Sequence, residues 1–364
     1  MYAALTDNGR MTRSRFSRRV TARDVAHAVG CSVASVSLVI NGKAEGRVRV
    51  ETQEAVWRAV ADLGYRVNTT ASALARGMSS GVGFVSPDPT NPFFSIVLEG
   101  LNAALGGKYA LTLLIPDRGS DYDRETVRRA LSADLAGLVL ASPSPRLLDD
   151  LVITCPTVLI DAGGPQAGVA SIDIELGQAM VDLADHLVGF GHRSVGYIGF
   201  SREKASVQGR RVALAKALAD RGAVLVSDPI ELNELTEWAA QHAFETRWPE
   251  LSANGVTAMV CGDELFAYGI LRGCAELGVS VPEQLSVVGF NNLSFSSLIQ
   301  PSLTSIDLSA VEIGRRAGAS LRRFIEEGEE PAGQTVSATL VPRASTGPAA
   351  NTGPAAKTGQ LKSR

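Results

Sequence analysis

The chain reads as a small all-α head joined to a two-lobed α/β body built on parallel sheets. Three observations predict this. Residues 20–65 hold three short helical patterns and 68–77 a fourth, each too short to bury a core alone. From residue 82 onward, short apolar runs alternate with amphipathic helical stretches, the rhythm of βα units in a parallel sheet. Charge divides at the same place: of 35 Lys+Arg and 38 Asp+Glu, residues 1–80 carry 12 and 6, leaving 23 and 32 for the rest, so a head at +6 precedes a body at −9. A basic head on an acidic body points to a polyanionic partner for the head alone, although a solvated basic tail has the same charge signature.

Taken in order, residues 1–19 contain Arg10, Arg13, Arg15, Arg18 and Arg19 with little apolar material and read as a disordered basic arm, with Met11 as an alternative start. No apolar stretch before Arg10 resembles a secretion signal, and no run approaches the roughly 18 residues of a membrane span, so a cytoplasmic protein with no membrane partner is expected.

Thr21 stands three residues before Asp24, a hydroxyl N-cap with an acidic partner at the third helical position. Val25, Ala26 and Val29 form the apolar stripe of that helix. Gly30 ends it in a left-handed turn, and Ser32 caps a second helix whose inner face carries Val36, Val39 and Ile40. Two helices of about eight residues joined by a Gly-containing turn make a helix-turn-helix. Such a unit inserts the N-terminal part of its second helix into the DNA major groove, while hydroxyls and amides near the helix starts hold phosphates. Val33, Ala34, Ser37 and Leu38 therefore face the bases, and Thr21, Ser32, Ser35 and Asn41 are the phosphate candidates.

In the body, strands are predicted at 82–85, 110–115, 137–140, 157–160, 195–198, 256–260 and 285–289. Parallel sheets of this kind bind ligands at the carboxyl ends of their strands. The repeat TGPAAN TGPAAK TG over 346–359 is too rich in Pro and Gly to pack and reads as a flexible tail. The expected division is 1–19 arm, 20–66 head, 67–80 hinge and linker, 81–346 two-lobed body and 347–364 tail.

Catalytic and metal chemistry find no support. Cys31, Cys155, Cys261 and Cys274 lie far apart with no CxxC pair and no His at ligand spacing, so reduced thiols and no metal are expected. No GxSxG, P-loop or HExxH occurs, and Gly189-Phe190-Gly191 lacks the third glycine of a dinucleotide loop. Neither an enzyme nor a cofactor is expected.

The stretches VTARDVAHAVGCSVASVSLVING, VETQEAVWRAVADLGYRVN and ASALARG resemble, in register, the head, third helix and hinge helix of the LacI family of transcription regulators. The resemblance runs over roughly 20–346 and implies a periplasmic-binding-protein-like body of type I. It implies that the hinge, near 68–76, becomes helical only on specific DNA. Asn68 opens that hinge, and Leu74, with Ala71 and Ala73 beside it, wedges into the minor groove; such a wedge costs a few kcal/mol of unstacking per step and is offset by the contacts that bending permits. It also implies a homodimer reading a near-palindromic double-stranded operator, in association with the nucleoid. A small carbohydrate-like effector would tune that binding.

In the body, PDPTNPFFSIVLEGL resembles the family's first strand-to-helix junction. The resemblance places Asn91 on a ligand hydroxyl and offers Phe93 and Phe94 as flat faces for a ring, although two core phenylalanines at a helix start fit the same pattern. Asp161 closes the strand VLID, and Arg210 sits where the family places its ligand-clamping arginine, with Arg211 the alternative if the register slips by one.

Several positions depart from the family pattern. Leu38 replaces a common Arg, Ser35 a Thr, and Val33 and Ala34 polar residues, so an arginine–guanine contact worth about 1–3 kcal/mol of discrimination is lost and apolar contact with thymine methyls is expected instead. Val67 stands where Pro usually precedes the hinge Asn. The family's Asn-Asp pair appears as Gly262-Asp263, and the acidic residue after VVGF as Asn291, followed by Asn292. Loss of a negative charge at Asn291 suggests an effector with an anionic group. Two rival functions stay open: a solute-binding protein for a transporter, which shares the body, and a DNA binder that needs no effector.

Overall fold

The computed structural model describes residues 20–40, 42–65, 81–116, 124–144, 147–149, 151–201 and 205–350. It divides at residue 78/79 into two compact units.

The first unit is helical. Helix α1 (Ala22–Val29) begins in the expected capping box: Asp24 Oδ2 accepts from the Thr21 backbone N–H at 2.8 Å, and the Asp24 N–H donates back to Thr21 Oγ1 at 3.4 Å. Gly30 ends it at φ 71°, a conformation that a Cβ would penalise. Helix α2 (Val33–Ile40) then starts under Ser32, whose Oγ accepts from the Ser35 N–H at 3.0 Å, and its axis turns 106° from that of α1. Both pack on α3 (Val50–Leu63), closing a core of Val25, Ala26, Val36, Val39, Ala44 and Val56.

The second unit has two sheets. In the first lobe six strands run β12-β5-β4-β3-β1-β2, all parallel: β1 (Gly81–Val85), β2 (Ala110–Leu114), β3 (Gly137–Ala141), β4 (Thr157–Ile160), β5 (Ser171–Glu175) and β12 (Gln334–Ser337). Its interior strands are apolar on both sides because both faces are covered. Val82, Phe84, Val139 and Ile160 pack against α4 (Pro92–Leu105) and α10 (Ala310–Glu327), while Val85, Leu138, Leu140 and Leu159 pack against α5 (Arg124–Ser132). Helices α4 and α10 touch backbone to backbone. A Cβ at Gly100 would stand 2.0 Å from the Val311 carbonyl oxygen, and one at Gly314 would stand 1.9 Å from that of Val97.

In the second lobe β6 (Ser194–Phe200) pairs in parallel with β7 (Val224–Leu225), β8 (Ile230–Leu232) and β9 (Ala258–Cys261). The sheet continues through β10 (Ser286–Phe290) and β11 (Thr304–Asp307) to β13 (Thr339–Val341), which alone runs antiparallel to its neighbour. Around this sheet lie α6 (Gly177–Gly189), α7 (Ala205–Ala219), α8 (Glu237–Ala253) and α9 (Glu264–Leu277). The chain passes between lobes three times, after β5, after β11 and after β12, so neither lobe is a continuous stretch of sequence.

Hydrogen bonding continues beyond the expected end of the body at residue 346. Ser345 Oγ donates to the Val287 carbonyl at 2.6 Å and accepts from the Thr304 N–H at 2.8 Å, joining β10 to β11. The Gly347 N–H donates to Ser286 Oγ at 3.1 Å, and the Ala349 N–H to the Phe190 carbonyl at 2.8 Å. The Gly347 carbonyl can only accept, so the His192 Nε2 3.1 Å away carries the proton, and Nδ1 takes the Thr257 hydroxyl at 2.8 Å.

Candidate functional site

In the helical unit the capping geometry decides which side chains remain outward. Val33, Ala34 and Ser37 are exposed, Val33 at 45%, whereas Leu38 and Ser35 are half-buried. Of the four residues expected to meet bases, three therefore stand clear of the head core and Leu38 only partly. The phosphate candidates have local partners: Thr21 Oγ1 donates to Asp24 Oδ2 at 2.7 Å, and the Ser32 and Ser35 hydroxyls share a hydrogen bond of 2.9 Å. Asn41, Asn68, Ala71 and Leu74 lie outside the described residues.

In the body the strand ends of the two lobes face one another, and the polar residues expected there meet across the gap. Asn91 caps α4 from the first lobe, its Oδ1 accepting from the Phe93 N–H at 3.0 Å. Its amide nitrogen reaches across to Asp263 Oδ2 at 3.0 Å, and Asn291 at the end of β10 donates to the same oxygen at 2.9 Å. The other carboxylate oxygen of Asp263 caps α9, accepting from the Leu265 N–H at 2.9 Å. Burial pushes the Asp263 pKa up, against the pull of these donors and of Arg210.

Arg210, on α7, makes the second crossing. Its Nη2 lies 3.9 Å from Asp161 Oδ2 of the first lobe, and its Nη1 donates to the Gly262 carbonyl at 3.0 Å. The guanidinium sits 5.2 Å from the centre of the Phe290 ring, a cation–π distance. Arg211 turns outward to Glu231 at 3.7 Å, so of the two arginines it is Arg210 that faces the gap. Ser142 Oγ donates to Asp161 Oδ2 at 3.2 Å. Ser142, Asp161 and Asn291 all have left-handed backbones, at φ 45°, 51° and 101°. Such strain at strand ends concentrates where side chains are aimed at a ligand.

Phe93 and Phe94 pack edge to face at 5.3 Å within the lobe core, which is the core reading of that pair. Asn292 turns away, donating to Asp307 at 3.0 Å and accepting from Arg343 at 2.6 Å. Tyr197, Ser142, Phe290 and Glu264 were not visible as site residues in the sequence. Glu264 is fully buried, accepts from the Ser296 and Ser305 hydroxyls, and is pushed up to about 7 by burial.

Among the described residues no single helix is long and apolar enough to cross a membrane, and no group of three or more metal-ligating side chains occurs.

Comparison with known proteins separates the same two parts. Residues 21–68 match the family described as "Bacterial regulatory proteins, lacI family", and residues 184–346 match the "Periplasmic binding protein-like domain". Catabolite control protein A of Priestia megaterium is 26% identical over 327 residues, covering 88% of this chain and 96% of its own. The lac repressor dimer bound to operator and the anti-inducer ONPF superposes with a TM-score of 0.76 at 21% identity, covering 91% of this chain and 100% of its own. The transcriptional regulator CelR in complex with cellobiose gives a TM-score of 0.64 at 23% identity, covering 90% of this chain and 100% of its own. The fold of a capped helix pair followed by two parallel-sheet lobes is shared with these proteins, and the two domain matches give the chain a head of the lacI family of bacterial regulatory proteins over 21–68 and a periplasmic binding protein-like domain over 184–346.

Proposed function

We propose that the chain is a sequence-specific DNA-binding transcriptional regulator, a repressor acting as a homodimer on a near-palindromic operator in the cytoplasmic nucleoid. A small neutral carbohydrate held between the lobes sets its operator affinity. The observation that carries the first part is the second helix of the head, which turns 106° from the first and leaves Val33, Ala34 and Ser37 exposed at its N-terminal end. Thr21, Ser32, Ser35 and Asn41 serve phosphates, and Asn68, Ala71 and Leu74 serve the operator centre. A free solute-binding protein has no use for such a head.

The effector reading rests on Asn91, Asp161, Arg210, Asp263 and Asn291 converging where two lobes approach, with Phe93 and Phe94 behind them. The expectation of an anionic effector does not carry over. Asn291 does remove a charge, but it spends its amide on Asp263, and Asp161 and Asp263 both remain beside the single guanidinium of Arg210. A further carboxylate or phosphate would meet two carboxyl groups, whereas sugar hydroxyls can both donate to them and accept from Arg210. Effector binding changes how the lobes meet, and with it the ability of a dimer to hold two half-sites, which is a coupling free energy between separate sites.

Gel-shift titration of the full chain on DNA upstream of its own gene, with and without sugars, tests this reading: a specific complex whose affinity moves with a sugar is expected. The direct Asn91–Asp263 bond favours one second reading, a DNA binder that needs no effector, because these polar groups are already satisfied by each other. Calorimetry separates the two, since that reading requires a specific DNA complex that no sugar alters.

A further inference from the structure

Four buried side-chain atoms have no hydrogen-bond partner among the described residues, the Ser86 hydroxyl, the Gln166 side-chain oxygen, the Tyr197 hydroxyl and the Nε–H of Arg210, and the last two are donors on the second lobe. Tyr197 sits in the middle of β6 and is 4% exposed; Arg210 is 9% exposed. They flank Gly262. Arg210 Nη1 holds the Gly262 carbonyl at 3.0 Å, and a Cβ added to Gly262 would stand 2.8 Å from Tyr197 Oη. A Cβ at Gly199 would meet the same ring, 2.6 Å from Cε1 and 3.4 Å from Oη. The phenol thus fills space that side chains at 199 and 262 would otherwise take, and it brings a hydroxyl to where a polar side chain on residue 262 would have placed its own group.

We propose, resting on the reading of the cleft as a carbohydrate site, that Tyr197 determines its specificity by donating, alongside Arg210 Nε, to hydroxyl oxygens of a neutral polyhydroxy ligand. Gly199 and Gly262 are the positions that make room for it. An unpaired buried hydroxyl costs on the order of 1–3 kcal/mol, so a ligand that completes its bonding recovers what the free protein lacks. Arg210 is already oriented by the Gly262 carbonyl and the Phe290 ring, which fixes the direction of Nε. Both orphans are donors, and the Asp161 carboxylate nearby is an acceptor already served by Ser142. A sugar hydroxyl matches that set, because it accepts from one side and donates to the other. A ligand carboxylate only accepts and adds a negative charge beside Asp161 and Asp263.

The test is calorimetry and thermal melting of the full-length protein and Tyr197→Phe, with cellobiose, D-ribose and D-glucuronate as probes. At least one neutral sugar should bind the wild type, and Tyr197→Phe should bind it about five- to tenfold more weakly. Without ligand, Tyr197→Phe should melt at the same temperature or higher, because the substitution removes only an unpaired hydroxyl. Gly262→Ala should weaken sugar binding in the wild type, where it pushes on the hydroxyl, and weaken it less in the Tyr197→Phe background. Unchanged sugar affinity in Tyr197→Phe overturns the role of Tyr197 and leaves the cleft reading intact. A lower melting temperature of the free variant also overturns it, by showing that the hydroxyl holds the fold. Preference for D-glucuronate overturns the ligand class, and failure of both neutral sugars to bind the wild type overturns the cleft reading and the proposal together.

Discussion

Asn91 of the first lobe and Asp263 of the second are joined by a buried hydrogen bond of 3.0 Å, and Asn291 donates to the same carboxylate oxygen at 2.9 Å. Removing the carboxylate leaves two amides without their acceptor and takes the N-cap from α9. Asp263→Ala should therefore lower stability by about 2–4 kcal/mol, combining the loss of a cap with the desolvation cost of orphaned donors. Urea denaturation followed by circular dichroism measures this, and a loss below about half a kcal/mol would mean that solvent replaces both amides.

Asn291 stands where a second acid would face Asp263. Asn291→Asp would set two carboxylates against one another at hydrogen-bond distance, and one of them would have to hold a proton. The variant should match the wild type in stability near pH 4 and fall below it by about 1–3 kcal/mol above pH 7. Denaturant titrations at the two pH values check the difference.

Glu264 gives the wild type its own pH dependence. Burial raises the folded pKa from 4.5 to about 7, so the folded state holds its proton more tightly than the unfolded one. Stability is then highest below the unfolded value, declines as pH rises through the window from 4.5 to about 7, and levels off above it. Glu264→Gln should remove this decline and gain on the order of 1–3 kcal/mol over the wild type at pH 8, with little difference at pH 4. Equal pH slopes for the two proteins would contradict it.

Gly100 and Gly314 let α4 and α10 approach with carbonyls where Cβ atoms would be. Gly314→Ala cannot be relieved by a rotamer change, because the atom it meets belongs to backbone. It should cost about 3 kcal/mol or more, at the upper end of overpacking penalties. An exposed helical position such as Ala103 changed to Gly, costing only about 1 kcal/mol by propensity, is the comparison in thermal melts.

Val33 and Ala34 lead the exposed face of the second head helix, without an Arg to grip guanine. Operator half-sites should contain thymines opposite them. Replacing those thymines by deoxyuracil, which lacks only the methyl group, should weaken binding about three- to tenfold per half-site, a modest share of the discrimination that one base contact provides. Invariant G·C pairs opposite Leu38 in a binding-site selection would show that bases are read another way.

The head was almost fully legible in the sequence because its determinants are local. Thr21 with Asp24, Gly30 and Ser32 each act within four residues, and each does what its spacing implies. The central strands β1, β3, β4, β9 and β10 were legible for a related reason: burial on both faces makes them largely apolar runs. Polar strands were not. β5, between β12 and β4, ends in Asp173-Ile174-Glu175, and the edge strand β12 reads Gln334-Thr335-Val336-Ser337, both too polar to stand out without the neighbours they pair with. The site divides in the same way. Asn91, Asp161, Arg210 and Asp263 follow from family register, whereas Tyr197 looks like one more apolar residue of a strand. Its significance depends on Gly199 and on Gly262, which lies 65 residues further along the chain.

The three passages of chain between the lobes have a consequence for synthesis. The first lobe receives helix 310–327 and its edge strand 334–337 only after nearly all of the second lobe has been made, and the second lobe is sealed last, by Ser345 between β10 and β11. A nascent chain therefore carries both cores open until residues 334–345 leave the ribosome, while the helical head has long since been able to close on itself. A nonsense codon between about residues 310 and 345 would release a DNA-reading head attached to a body that lacks part of both lobes, and so cannot answer to any effector.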